Sequence, residues 1–276
     1  MLVAPPVPKP AALTSSPYPP THSPTLLQRL SSSLLPLLIL FGLVLSGLPS
    51  AVVVQLSRPR PFHLLNPLRW WSLIFQKGFP EVLAASNVLW SNVKSPLLQN
   101  ATGVVLEVGA GSGENLVYYD HQKIEKLYAL EPFEPLRGQL RTTLEKRTRL
   151  SDRTTIVPHG IDQRSKLDSE FGIRPSSIDT VVLVQVLCSI PDPEPTIEYL
   201  ASLLRPGGQI LLFEHVASKD PLSRFVQNLW SPIWSRLMGG CELNRPSDQW
   251  LSKLQAWQSV QLARPDCEVS VQRNKA

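Results

Sequence analysis

The run from Val104 to Gly113, Val-Val-Leu-Glu-Val-Gly-Ala-Gly-Ser-Gly, constrains the fold of this 276-residue chain more than any other stretch. Val104, Val105 and Leu106 are apolar without alternation, the pattern of a strand buried on both faces of a parallel sheet. Glycines follow at 109, 111 and 113, where a chain leaving a strand turns sharply and lets a ligand approach its backbone. Glu114 and Asn115 open a stretch, to Tyr119, that is predicted to begin a helix with its N-terminus toward that ligand. A dinucleotide-binding turn needs G-x-G-x-x-G. Counted from Gly109 its third glycine falls on Glu114, and counted from Gly111 it falls on Leu116.

The rest of the chain repeats the strand–helix alternation. Glu81–Leu98 reads as a helix leading into the glycine turn. Lys126–Leu130 is a second strand, closed by Glu131-Pro132. Glu131 lies 22 residues after Gly109, where an acid in a nucleotide-binding fold accepts hydrogen bonds from both ribose hydroxyls; the alternative is a surface glutamate. Pro135–Leu150 has helical composition. Thr154–Val157 is a third strand, followed by His159-Gly160-Ile161-Asp162. Asp179–Ile190 holds a fourth, near-continuously apolar strand and its exit. Leu200–Leu204 ends a helix in the turn Arg205-Pro206-Gly207-Gly208, and Gln209–Phe213 is a fifth strand leading to Glu214-His215-Val216. The pattern predicts an α/β fold, a doubly wound, mostly parallel Rossmann-like sheet with ligands at the strand carboxyl ends. Ser259–Ala263 is placed as a sixth strand. The tail after Cys267 is short and polar, so the last strand is expected to be abbreviated or missing.

Three segments precede this domain, which is taken as 99–276. Residues 1–24 hold eight of the 27 prolines, and a tail over 1–30 cannot bury enough apolar surface to order itself. From Ser31 to Ser57 there is no charge, and the 23 residues Leu34–Leu56 span about 34 Å as a helix, enough for a bilayer core of about 30 Å. Pro36 and Pro49 are tolerable in a membrane helix and costly inside a soluble one. The segment is read as a single transmembrane signal anchor, 34–56, followed by a juxtamembrane helical segment, 57–98. Lys9 and Arg29 precede it, whereas Arg58, Arg60, Arg69 and Lys77 follow, which favours a cytosolic C-terminal side. Trp70 and Trp71 fit either an interfacial belt or packing on the soluble domain.

Net charge is +5 and the pI about 9.2, yet the basic residues are scattered, so nucleic acid is not expected as a partner and the bilayer is. Cys188, Cys241 and Cys267 show no metal or redox spacing. Cys241 with His215 makes only a two-ligand set, far apart in sequence, and no metal is expected.

Glu107-x-Gly109-x-Gly111-x-Gly113 resembles motif I of the class I S-adenosylmethionine-dependent methyltransferases, and Leu204–Gly208 resembles their post-helix turn. Val186-Leu-Cys-Ser189, Phe213-Glu-His-Val216, Gly240-Cys241, Asn244-Arg245 and Trp250 narrow the likeness to the membrane-anchored thiol methyltransferase-like family. The resemblance implies S-adenosylmethionine as cofactor and a cytosol-facing enzyme of endoplasmic reticulum or lipid-droplet membranes that methylates small apolar thiols. By position, Glu107, Gly109, Gly111 and Gly113 would form the cofactor loop, Glu131 would hold the ribose and Gln185 would stand at the methyl-donor end. Asp162 would meet the adenine edge, or serve as a helix cap. His215 would assist deprotonation, or be structural. An O- or N-methyltransferase, and an inactive membrane-tethered binding protein, are the alternatives.

Overall fold

The computed structural model describes residues 26–57, 61–147 and 149–254. Residues 1–25 of the expected N-terminal tail, Arg58 and Arg60, and the strands placed after residue 258 lie outside these residues, whereas 26–30, also read as tail, are the first residues of a helix.

Five strands form one sheet: β1 (Gly103–Val108), β2 (Ile124–Leu130), β3 (Thr154–Val157), β4 (Ile178–Val184) and β5 (Leu204–Phe213), in the order β3-β2-β1-β4-β5. Every neighbouring pair is parallel. The order reverses between β1 and β4, so their carboxyl ends diverge and leave a crevice there. Leu106, Val108, Val181 and Leu183 join one core cluster, while Val105, Val182 and Val184 join another on the opposite face. Both faces are therefore dry, which accounts for the unbroken apolar runs; each fully buried leucine or valine is worth about 1.5–3 kcal/mol. The first cluster is closed by Leu167, Ile197, Leu200 and Leu203, and the second by Leu98, Leu140 and Leu144. β5 starts directly after its helix, and its register skips Arg205–Gly208, so the proline-glycine-glycine turn is a bulge inside the strand.

The segment after the glycine turn differs from the sequence expectation. No α-helix forms between β1 and β2; a single 3₁₀ turn, Leu116–Tyr118, takes its place. Asn115, at its start, is turned inward to hold Glu107 (Nδ2 to Oε1 2.7 Å), which anchors the first residues against the strand end. The remaining connection must reach the Asp120–Lys123 turn at once and has no length for a helix.

The N-terminal helices cover one flank. They are α1 (Leu26–Ser57), the single turn α2 (Pro61–Leu64), α3 (Pro67–Leu89) and α4 (Ser91–Leu98). Asn66 caps α3, accepting the N–H groups of Leu68 and Arg69, with Pro67 in the first helical position. α3 folds back along α1 with Gly47 against Ile74 and Gly78 against Leu43. A Cβ on either glycine would collide with the facing backbone, so the pair sets the closeness of the crossing. After α5 (Glu134–Arg147), α6 (Arg164–Phe171) and α7 (Pro193–Leu203) comes α8 (Pro221–Leu237), capped by Asp220 through the Ser223 N–H; α9 (Ser247–Lys253) ends the described chain. Trp71 packs on α8, donating its indole N–H to the Leu237 carbonyl at 3.3 Å, so of its two sequence readings the packed one holds.

α1 is long and apolar enough over Leu34–Ser57 to cross a membrane. Leu38, Phe41, Leu45 and Leu48 on its outer side are exposed.

Candidate functional site at the carboxyl ends of β1 and β4

The glycine loop leaves β1 as the sequence requires. Gly109 has φ +69°, and a Cβ there would lie 2.5 Å from Cγ2 of Val186, so this position accepts only glycine without a shift of the β4 exit. The Gly111 N–H donates to Oε2 of Glu131 at 2.8 Å, and Oε1 of Glu131 accepts from the Phe133 N–H at 2.8 Å. Glu131 thus ties the end of β2 to the loop after β1. It is buried, and burial pushes its carboxyl above the ordinary range against the pull of those two N–H groups and Arg137. Glu107 is more deeply enclosed, and burial again raises its carboxyl. Its Oε1 is held by Asn115, while neither its Oε2 nor the neighbouring Tyr119 hydroxyl completes a well-formed hydrogen bond.

The exits of β4 and β5 are bound to one another. Gln185 takes φ +52°, a left-handed conformation that costs a non-glycine residue about 1–2 kcal/mol. It is held there from three sides. Its N–H donates to the Phe213 carbonyl (2.7 Å), Ser86 of α3 donates to its Oε1 (2.8 Å), and the next two N–H groups, of Val186 and Leu187, donate to Oε2 of Glu214 (2.7 and 2.5 Å). Arg245, buried, clamps the same loop by donating to the carbonyls of Leu187 (2.8 Å) and Ile190 (2.6 Å). The loop so fixed presents Cys188. Its sulfur lies 3.3 Å from that of Cys241, and Cys241 lies 3.9 Å from Nδ1 of His215. The hydrogen bond shared by the two sulfurs and the neighbouring imidazole hold the Cys241 thiol well below the ordinary range, whereas that same bond and burial push Cys188 up. Burial opposes charge on His215, yet Cys241 and Glu214 outweigh it and raise the ring to about 9. At neutral pH such a ring already carries its proton and is poorly disposed to take another.

The fold brings together Glu107, Gly109, Gly111, Gly113 and Glu131 around the loop, with Gln185 beside them through Val186, and His215 one strand further along. Asp162, after the carboxyl end of β3, is exposed, with its carboxylate folded back over Gly160, while Ile161 turns into the core. Sequence reasoning missed Lys94, buried on α4, with its ammonium on Oδ1 of Asn87 at 3.2 Å and in the field of Glu107; burial lowers its pKa. It also missed Glu214 and the clamping role of Arg245. A lone glutamate just past a strand and a lone arginine between two helices carry no spacing signal, and nothing short of the fold shows what they hold.

The residues fit an adenosyl cofactor on these observations. A left-handed loop offers its backbone at the crevice, two buried carboxylates flank it, and one carboxylate oxygen is left without a complete hydrogen bond. The chain matches the methyltransferase-domain family over residues 85–264. It is 28% identical over 219 residues to thiol S-methyltransferase TMT1B of Homo sapiens, covering 74% of this chain and 85% of that one. To the human thiol S-methyltransferase TMT1A it is 29% identical over 196 residues, covering 66% and 77%. In structure it is similar to an O-methyltransferase family protein from Burkholderia thailandensis, with a TM-score of 0.51 at 16% identity over 73% of this chain and 62% of that one, a likeness of fold alone. With its glycine loop, parallel sheet and family match in register, the chain belongs to the methyltransferase-domain family and is a class I S-adenosylmethionine-dependent methyltransferase.

Proposed function

We propose that this chain transfers a methyl group from S-adenosylmethionine to the sulfur of a small apolar thiol at a membrane surface. The observation that carries this reading is the alignment with thiol S-methyltransferases along 77–85% of their length. When bound, the cofactor supplies a sulfonium methyl group that is already activated. The protein's part is then chiefly alignment and exclusion of water. Gly109, Gly111 and Gly113 would cradle the cofactor, with Glu107 toward its methionine end, Glu131 on the ribose, and Asp162 on the adenine edge. Gln185, fixed in a strained conformation, would stand beside the donor methyl. Cys188 and Cys241 would give the acceptor side soft, polarisable sulfur. A simple thiol has a pKa near 8.5, so part of it is thiolate at neutral pH without a dedicated base.

The membrane part of the reading rests on three features. α1 offers an apolar span, Leu222, Phe225, Leu229 and Ile233 form an exposed stripe on α8, and Phe62 and Leu65, between α1 and α3, are exposed with Leu68 in the first turn of α3. α1 also touches α8. The anchor would place the catalytic domain on the cytosolic face of endoplasmic reticulum or lipid-droplet membranes, where apolar acceptors concentrate. The test is an acceptor panel with isotopically labelled cofactor, using the full chain in lipid nanodiscs. Label on thiols is expected; label only on alcohols or amines would replace the reading with O- or N-methylation.

A further inference from the structure

Cys188, His215 and Cys241 have no assigned role in the family match, and their arrangement is that of a metal site. Each comes from a different segment: the β4 exit, the β5 exit and the turn after α8. One donor atom from each lies within 4.8 Å of the other two. A tetrahedral zinc ion with bonds of about 2.3 Å to sulfur and 2.0–2.1 Å to nitrogen separates its donors by about 3.5–3.8 Å. The 3.3 Å and 3.9 Å separations seen here straddle that range, and shifts of about 1 Å would bring all three donors to it. The surroundings suit a cation of this type. Two thiolates and one neutral imidazole cancel a divalent charge, which matters where both sulfurs are buried. The backbone around the donors is fixed: Glu214 accepts the N–H of His215 at 3.0 Å, and Cys188 carries its loop on the Glu214 and Arg245 clamps. About a third of the His215 side chain is exposed, so the cluster is closed on the sulfur side and open on the imidazole side. Cys188 and Cys241 also belong to the apolar cluster that includes Leu43 and Ala51 on the buried side of α1.

We infer that Cys188, His215 and Cys241 bind one soft divalent cation of the zinc type, with a fourth position open to the sulfur of the acceptor. This inference rests on the thiol reading only for what occupies the fourth position. Metal binding releases the protons that the three ligands carry. An acceptor R–SH that takes the fourth position loses its proton to solvent, and its metal-bound sulfur then attacks the donor methyl. The products are R–S–CH3 and S-adenosylhomocysteine, with one proton released per methyl transferred. Three protein ligands with one exchangeable position is the ligand count of catalytic rather than structural zinc.

The test uses the full chain in detergent or nanodiscs, stripped with chelator and titrated with Co²⁺ alone. One equivalent should give the near-ultraviolet thiolate-to-cobalt absorption and visible bands of tetrahedral intensity, and Zn²⁺ should displace it. Cys188→Ser and Cys241→Ser should each remove about half of the thiolate absorption and weaken Zn²⁺ binding tenfold or more; His215→Gln should weaken it while leaving that absorption. Failure of a variant to fold is read separately, because the metal-free wild type and variants are compared by thermal melting, and Zn²⁺ should raise the melting temperature of the wild type alone. Absence of a cobalt spectrum in the wild type, or Zn²⁺ binding undiminished in the two serine variants, would overturn the site. Added alkyl thiol should shift the visible cobalt bands. Unshifted bands in an enzyme that still methylates thiols would overturn the open position, whereas bands that shift in an enzyme that methylates no thiol would leave the site standing and remove the proposed reaction.

Discussion

Gly109→Ala isolates what the glycine loop demands. At φ +69° an alanine costs about 1–2 kcal/mol in backbone strain. Its Cβ would also sit 2.5 Å from Cγ2 of Val186, and that side chain cannot withdraw freely because its own N–H is held by Glu214 at 2.7 Å. Forcing the overlap adds about 1–3 kcal/mol. The sum, roughly 2–5 kcal/mol, corresponds to a fall in melting temperature on the order of 10 °C for a domain of this size. Two further glycines separate the causes. Gly172, at the end of α6, has the same φ of +69° with open space where a Cβ would go, so Gly172→Ala should show the strain alone, about 1 kcal/mol. Gly138 lies inside α5 with nothing near it, and Gly138→Ala should raise stability by up to about 1 kcal/mol. Thermal melts of the full chain in one detergent, followed by circular dichroism, rank the three. Cofactor affinity by titration should fall only for Gly109→Ala. Equal losses at 109 and 172 would remove the contact with Val186 from the account, and a wild-type melting temperature for Gly109→Ala would refute both parts of it.

The other predictions follow from the same contacts. Glu131→Gln keeps one acceptor oxygen for two backbone N–H groups and removes the charge, so cofactor affinity should weaken by about 1.5–3 kcal/mol, or roughly 10- to 150-fold, in calorimetric titration; unchanged affinity would take Glu131 out of the site. Arg245→Ala strips the buried carbonyls of Leu187 and Ile190 of their donor and should cost about 2–4 kcal/mol in denaturant unfolding, with Arg245→Lys restoring part of it; a loss below about 0.5 kcal/mol would show that the loop holds itself. Full-length protein should stay with the membrane pellet in carbonate at high pH, and protease added to sealed microsomes should digest the catalytic domain; release into the supernatant would contradict the anchor, and protection would reverse its orientation.

The parallel sheet was legible because strands buried on both faces must be written in unbroken apolar residues, as 104–106 and 181–184 are. The glycine loop and Glu131 were legible because motif spacing encodes a contact between consecutive strands. What stayed hidden is of two kinds. The helix expected after Gly113 failed because Asn115 is spent on Glu107, a tertiary contact that outweighs helical composition. The sulfur–imidazole cluster joins residues 53 and 26 positions apart, on three segments whose adjacency only the strand order creates. α8 carried a readable start signal in Asp220-Pro221, a cap followed by proline in the first turn, and sequence analysis passed over it.

Methyl transfer to sulfur is tested most directly by one matched pair of acceptors. The full chain in nanodiscs is given labelled S-adenosylmethionine with an unbranched alkyl thiol or with the alcohol of the same length, and product is identified by mass spectrometry. Labelled methyl thioether, formed in equal amount with S-adenosylhomocysteine, is expected from the thiol and no labelled ether from the alcohol. Labelled ether without thioether, or S-adenosylhomocysteine formed from neither, would contradict it.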